Sequence, residues 1–319
     1  MKLRALSHYD GDTDTRFGDC ILLYDVLALI VYDCGHVRHS EAVESFLSEK
    51  TSITQVHVVV SHNDSDHTNG VIRLLDWFAA HSKYTVKVYT HQYLKHVDTI
   101  LSKIKDARRN RESLKESLLA EFDNIARIIE AAQKHRFPVF EALPGTNIGG
   151  CTIVGPMIDK FTDVAARAID SRLSNSIGEG HAEETVMNAA SVQLECILDN
   201  ADTVLLCGDA SPDYLFNLDN YNVIQLPHHG QLSDAKAIFQ KLKDAYRKDY
   251  FVSDNTGSGT TSGGSADLVQ YMKDECYAPA KNTKTGTLDI PALGLLGSIV
   301  IPAKLKGVKL GDMDFRLWE

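Results

Sequence analysis

Four side chains that commonly bind metal ions lie within six positions of one another, directly after an apolar stretch. They are His62, Asp64, Asp66 and His67. Residues 56–60 before them are mostly valine, which predicts a strand buried on both faces. Clustered carboxylates repel one another unless a cation neutralises them. A solvated loop rich in Asp, Asn and Ser is the alternative, but His and Asp recurring at the end of a core strand favour a metal site.

Two further strand-like stretches also end in residues that bind metals. Asp209 follows one of them, and His228 and His229 follow the other. In layered α/β folds, residues at the same end of neighbouring strands meet in space, so we expect the three groups to converge. Together they could hold two divalent ions about 3.5–4 Å apart with one bridging carboxylate, as in two-metal hydrolases.

These motifs resemble those of a known hydrolase superfamily, in the same order along the chain. The stretch Ser-His-Asn-Asp-Ser-Asp-His at 61–67 is similar to the His-x-His-x-Asp-His loop of the metallo-β-lactamase superfamily, with Asp64 replacing the second histidine. That replacement is common in the branch that includes the hydrolase domain of the DNA-uptake protein ComEC. Further motifs that match this branch are Gly-Asp-Cys at 18–20, Asp-Cys-Gly at 33–35, Asn-Ala-Ala-Ser at 188–191, Gly-Asp at 208–209 and Pro-His-His-Gly at 227–230.

The resemblance implies a fold and a domain organisation. The fold would be an α/β (α+β) four-layer αββα sandwich, with two mixed sheets face to face, helices outside and metals at one edge. Residues 1–319 would form one such domain. A block at about 94–137 departs from the ComEC-like pattern and would be an insertion. Its apolar residues recur at three- and four-residue steps, which predicts a long helix or a helical hairpin with a break near Asn110.

The resemblance also implies a role for each candidate residue. The metal ligands would be His62 and Asp64 for one ion, Asp66, His67 and His228 for the other, and Asp209 as the bridge. The catalytic residues would be Asp66, Asp209 and His229, where His229 is either a ligand or an acid that faces the substrate.

Four more residues are expected behind the ligands or against the substrate. They are Asp19, Asp33, Asn188 and Ser191. Asp33 would orient a ligand histidine, as metal sites usually require. Asn188 and Ser191 could donate hydrogen bonds to a phosphate or a metal-bound water, or they could simply cap a turn.

The activity that the resemblance implies is metal-dependent hydrolysis, with phosphodiesters of nucleotides or short nucleic acids as substrates and a metal-bridging hydroxide as nucleophile. The mixed oxygen and nitrogen ligands suit zinc or manganese. Because the same hydroxide can attack a carbonyl, a hydrolase of lactones, thioesters or β-lactams remains an alternative. A non-catalytic interaction module with a residual metal site is a third reading, and the intact ligand series argues against it.

Composition limits the partners. The 319 residues carry a net charge of −10, which argues against a large nucleic-acid groove and favours a nucleotide or a short oligonucleotide. No apolar run approaches the roughly 18 residues that span a bilayer, and no signal peptide opens the chain, so no membrane partner and a cytoplasmic location are expected. The exposed amphipathic insertion is compatible with a homodimer. Within it, Arg108, Arg109 and Arg111 could contact a phosphate, although such groups are more often a solvated helix face.

Overall fold

Two seven-stranded sheets form the centre of the structure. This computed structural model describes residues 1–7, 18–105, 110–175, 188–253, 266–284 and 286–291. All six cysteines lie in these ranges, and none of them is in a disulfide.

The first sheet contains the strand that precedes the His/Asp loop. Its strands are β1 (Lys2–Ala5), β2 (Ile21–Tyr24), β3 (Ala28–Tyr32), β4 (Gln55–Val59), β5 (Thr85–Thr90), β6 (Val139–Glu141) and β14 (Leu288–Ile290). Their order is β14-β1-β2-β3-β4-β5-β6. Strands β3 to β6 are parallel, and β14, β1, β2 and β3 pair antiparallel. The buried strand predicted at 56–60 is confirmed as β4, which lies between β3 and β5.

The second sheet carries the other two candidate strand ends. Its strands are β7 (Asn147–Ile148), β8 (Cys151–Gly155), β9 (Gln193–Ile197), β10 (Thr203–Leu206), β11 (Val223–Gln225), β12 (Asp249–Val252) and β13 (Lys281–Asn282). Their order is β13-β12-β11-β10-β9-β8-β7. Because β10 and β11 run parallel, Asp209 and the His228–His229 pair leave the sheet at the same edge.

Helices cover the outer faces of both sheets. They are α1 (Val37–Glu49), α2 (Ser65–Thr68), α3 (Val71–Ala79), α4 (Val97–Lys103), α5 (Arg111–Glu121), α6 (Asp123–Lys134), α7 (Ile158–Asn175), α8 (Leu232–Lys241) and α9 (Ala266–Asp274).

Three apolar clusters hold these layers together. Tyr32 and Phe251 belong to the cluster between the two sheets. The outer face of the first sheet packs on α1 and α3 to α7, and that of the second sheet on α8 and α9. Each fully buried aliphatic or aromatic side chain stabilises this arrangement by about 1.5–3 kcal/mol. The predicted αββα sandwich is confirmed.

In the described part of the block at 94–137 there are three α-helices, α4, α5 and α6, where one long helix or a helical hairpin was predicted. Asn110, at the predicted break, caps the N-terminus of α5. Its Oδ1 accepts hydrogen bonds from the backbone N–H groups of Glu112 and Ser113. Phe122 is the single residue that separates α5 from α6. Arg108 and Arg109 lie outside the described residues, and Arg111 pairs with Asp98. In the described ranges no helix combines the length and apolar character needed to cross a membrane.

Candidate metal centre

The loop after β4 is fixed by close backbone packing. Asp19 donates a backbone hydrogen bond of 2.8 Å to the carbonyl of Asp66, and Cys34 donates one of 3.0 Å to the carbonyl of His67. A Cβ at Gly18 or at Gly35 would overlap the carbonyl of Asp66. Glycine is therefore required at both positions for the two neighbouring loops to reach the metal-binding loop.

Asp33 sets the orientation of His67. It follows β3 with a φ of 60°, a left-handed conformation that is uncommon for a residue with a Cβ. Its carboxylate accepts hydrogen bonds from the backbone N–H and the hydroxyl of Ser61, at 2.7 and 2.6 Å, and lies 2.8 Å from Nδ1 of His67. Nδ1 of His67 is thus held by a carboxylate, and its Nε2 is directed into the site.

Two serines orient His62 in the same way. Its Nδ1 lies 2.9 Å from the hydroxyl of Ser61 and 3.2 Å from that of Ser191. The Ser61 hydroxyl donates its proton to Asp33 and the Ser191 hydroxyl donates to the carbonyl of Asn188. Both serines therefore accept from His62, so Nδ1 carries the proton and Nε2 keeps a lone pair for a cation.

His229 enters the site through an unusual turn. His228, His229 and Gly230 have φ values of 53°, 51° and 76°, so three consecutive residues are left-handed, which is a strained arrangement for the two histidines. The turn places Nε2 of His229 3.0 Å from Oδ2 of Asp66 and 3.6 Å from Oδ2 of Asp209. Its Nδ1 lies 3.3 Å from Oδ1 of Asp19. His229 is thus surrounded by three carboxylates.

His228 does not join this cluster, which differs from its predicted role as a ligand of the second ion. Its Nδ1 lies 3.6 Å from Oδ2 of Asp234, and that carboxylate raises the pKa of the imidazole above its usual value. The left-handed turn directs the two neighbouring side chains to different sides. The geometry therefore favours His229 as the ligand and leaves His228 beside the site.

Asn188 and Ser191 lie behind candidate ligands. The side-chain amide of Asn188 donates a hydrogen bond of 2.9 Å to Oδ2 of Asp64. Ser191, besides holding His62, accepts a hydrogen bond of 3.2 Å from the backbone N–H of Asp209. The backbone N–H of Ser191 also donates to the carbonyl of Asn188 and so closes a turn. Asn188 and Ser191 therefore both form this turn and position candidate ligands.

Two supporting residues were not among the sequence-based candidates. Ser61 links Asp33, His62 and the backbone of the loop, and its place directly before the motif is a signal that could have indicated it. The side-chain oxygen of Gln225, on β11, accepts from the backbone N–H of Cys207 at 2.9 Å, and its amide donates to Oδ2 of Asp19 at 2.8 Å. Nothing in the local sequence of β11 distinguishes this glutamine from an ordinary strand residue.

The charges of the cluster are mutually dependent. Burial lowers the pKa of His62 to about 4, with the neighbouring His67 adding to the shift. Burial opposes a charge on His67 as well, but Asp209 and Asp33 outweigh it and hold its pKa well above the usual value. Burial would raise the pKa of Asp209, yet His229 and His67 keep it well below its usual range. The buried carboxylates of the site thus carry negative charge, and they favour a positive charge next to them, on an imidazole or on a bound cation.

The donor atoms fit a metal ion. Within the described part of the chain, Nε2 of His62, Nε2 of His67 and Oδ1 of Asp209 are buried and have no hydrogen-bond partner, although a buried polar atom without one costs about 1–3 kcal/mol. These three side chains offer ligand atoms within 4.8 Å of one another, and so do Asp19, His67 and His229. A divalent cation would satisfy these atoms and neutralise the carboxylates.

A pocket of about 280 Å³ opens beside this cluster. Side chains that line it include Asp209, Ser211, His228, Asp234, Arg167 and Tyr214. We refer to it as the site pocket. Most of the residues that line it are polar or charged, and the guanidinium of Arg167 donates a hydrogen bond to the hydroxyl of Tyr214.

Comparison with known proteins gives matches at the level of structure. No family model matches this chain, and no curated protein does. The metallo-β-lactamase fold protein YhfI from Bacillus subtilis is 12% identical with a TM-score of 0.42, and the match covers 91% of this chain and 100% of that one. A metallo-β-lactamase from Cronobacter sakazakii is 16% identical with a TM-score of 0.33, over 76% of each chain. At this low similarity, the substrates of those proteins say nothing about the substrate of this chain. The similarity to the ComEC-like branch stays a prediction.

Proposed function

We propose that this chain is a metal-dependent phosphodiesterase that acts on nucleotides or short nucleic acids. The observation that supports it most is the convergence of buried donor atoms without a hydrogen-bond partner from two strand ends: His62 and His67 after β4, each held by a partner behind it, and Asp209 after β10. Such preorganised donors are typical of a metal site that does chemistry rather than of a chance cluster of acids.

We propose a division of the ligands between two ions. His67, Asp66 and His229 would hold one ion, His62 and Asp64 the other, and Asp209 lies between the two histidines His62 and His67, where it would contact both. Three carboxylates and three imidazoles suit zinc or manganese. Bound divalent cations supply a Lewis acid for phosphoryl oxygens and lower the pKa of water to about 7.

The protein's own groups would orient the reaction. Asp33, Ser61 and Ser191 keep the two imidazoles directed at the site. Arg167, in the wall of the site pocket, would attract an anionic substrate. His228 lines the same pocket and would donate a proton to the leaving oxygen.

The guanidinium of Arg167 beside the candidate metal centre favours a phosphodiester over a carbon ester. A lactone, a thioester or a β-lactam is neutral at its reacting group and is bound mainly by apolar surface. A cation site beside the guanidinium of Arg167 suits the negative charge of a phosphate instead.

The test compares two substrate classes on one preparation. The purified protein is stripped with a chelator, reloaded with zinc or manganese, and assayed with bis-p-nitrophenyl phosphate and with p-nitrophenyl acetate. We expect metal-dependent cleavage of the diester at a rate above that of the ester. Cleavage of the ester alone would replace the proposal with a carbon-ester hydrolase, and an inert, metal-free protein would exclude both.

A further inference from the structure

A second pocket adjoins the site pocket. It has a volume of about 630 Å³, and it lies between the end of α4 and the outer face of α7. Arg167 and Tyr214 line both pockets, so the two share a wall. We refer to this second pocket as the distal pocket.

The distal pocket is rich in cations although the chain is acidic. Its wall contains Lys103, Lys105, Lys160 and Arg167 with the carboxylates of Asp163 and Asp170, whereas the whole chain has a net charge of −10. Such a local excess of positive charge is typical of a surface that binds an anion.

Not all of these cations are engaged within the protein. Lys103 lies 2.6 Å from Asp163 and donates to the hydroxyl of Thr162 at 2.8 Å, so it is part of the α4–α7 contact. Arg167 donates a hydrogen bond to the hydroxyl of Tyr214. In the described residues, by contrast, the side chains of Lys105 and Lys160 form no ion pair with a carboxylate, so their two charges are available to a ligand.

Because the two pockets share a wall, one substrate could extend from the site pocket into the distal pocket. A substrate whose reacting phosphate lies at the metal centre would pass Tyr214 and Arg167 before it reached Lys105 and Lys160. Tyr214 is half-buried and offers an aromatic ring on which a base can stack. A positively charged groove that begins beside a stacking platform is the arrangement by which proteins hold short single strands.

We propose that the distal pocket binds a second phosphate of the substrate, so that the preferred substrates are oligonucleotides or nucleotides with at least two phosphate groups. This inference rests on the proposed function, because it places the reacting phosphodiester at the metal centre. It makes Lys105 and Lys160 determinants of specificity that do not contact the reacting atoms.

The experiment uses three dinucleotides: thymidylyl-thymidine, which has one phosphate, and its 5′- and 3′-phosphorylated forms. KM and kcat are measured for the metal-loaded protein, for the double variant Lys105→Gln, Lys160→Gln, and for the control Lys50→Gln, Lys83→Gln. The control loses the same charge from exposed lysines that line neither pocket. Dissociation constants of the same three compounds are measured in parallel.

We expect the wild type and the control to favour one phosphorylated form over the plain dinucleotide by about tenfold in KM. The Lys105, Lys160 variant should lose this preference, while its kinetics on the plain dinucleotide change by less than about twofold. A wild type without the preference, or a control that loses it equally, would overturn the inference. If no dinucleotide is cleaved, the proposed function fails, and the ratio of dissociation constants still decides whether the distal pocket binds a phosphate.

Discussion

The carboxylate of Asp33 lies 2.8 Å from Nδ1 of His67, and neither side chain is accessible to solvent. This pair joins the end of β3 to the loop after β4, and it fixes which nitrogen of the imidazole faces the candidate metal. Because Asp33 also accepts two hydrogen bonds from Ser61, one carboxylate orients both the ligand and the backbone of its loop. The candidate metal centre thus depends on the buried residues Asp33 and Ser61 behind the ligands as well as on the ligands themselves.

Replacing Asp33 with Asn should weaken metal binding. An asparagine presents an amide N–H to groups that are themselves donors, so the orientation of His67 would be lost together with the negative charge behind it. Changes of this kind typically cost about 10–100-fold in metal affinity. Competition with a chelator measures the affinity, and circular dichroism verifies that the variant is folded. An unchanged affinity in a folded variant would show that Asp33 has no such role.

The two adjacent histidines should separate in their effects. His229→Gln should remove one bound ion, because Nε2 of His229 lies 3.0 Å from Asp66 within the cluster. His228→Gln should keep both ions and lower turnover, because His228 lines the site pocket instead. Metal content per chain, measured on both variants after dialysis, is the test. The reverse pattern would return His228 to the ligand set and contradict the geometry.

Acid should destabilise the metal-free protein partly through His91. This buried residue follows β5, donates from Nε2 to the carbonyl of Ala190 at 2.9 Å and stacks on Phe161. Burial lowers its pKa from 6.5 to about 4. Between pH 6.5 and about pH 4, His91 is therefore protonated in the unfolded chain but neutral in the folded chain. As the pH falls through this window, the free energy of unfolding decreases by roughly 3 kcal/mol for this group.

The variant His91→Gln tests this pH dependence. Its amide can still donate to the carbonyl of Ala190, but it does not titrate. Urea unfolding at several pH values between 7.5 and 4.5, in the presence of a chelator, should show a shallower loss of stability for the variant than for the wild type. Equal slopes would show that His91 is not the group responsible.

An added methyl group at Gly35 should disturb the fold and the site together. Its Cβ would overlap the backbone carbonyl of Asp66, and backbone cannot move aside as a flexible side chain can. We expect a loss of at least about 1–3 kcal/mol in the free energy of unfolding, with weaker metal binding. Gly286→Ala is the matched control, because its Cβ would have no neighbour within 4 Å, and it should change stability by less than about 0.5 kcal/mol. Equal effects of the two substitutions would contradict the close packing at Asp66.

Local patterns were sufficient to predict much of this arrangement. The valine-rich stretch before His62 indicated β4, and the polar residues that follow three strands indicated one common edge. These signals depend on neighbours in sequence, and β10 and β11, because they run parallel, leave their sheet at the same edge.

Other features depend on contacts that are distant in sequence. Adjacent histidines at 228 and 229 look equivalent in the chain, and only the left-handed backbone of their turn decides which one enters the site. Asn188 and Ser191 could equally have faced the substrate, since their contacts with Asp64 and His62 join positions more than 120 residues apart. The distal pocket likewise arises from the packing of α4 against α7, which the charges of Lys105 and Lys160 do not reveal.

The most direct test of the metal-dependent activity is the turnover of bis-p-nitrophenyl phosphate by wild type and Asp209→Asn, each stripped and then titrated with zinc or manganese. Asp209 is the carboxylate placed between His62, His67 and His229. We predict turnover in the wild type that rises with added metal and saturates, and a loss of at least about a hundredfold in the folded variant. Wild-type cleavage without metal, or full activity in Asp209→Asn, would contradict a phosphodiesterase that depends on this site.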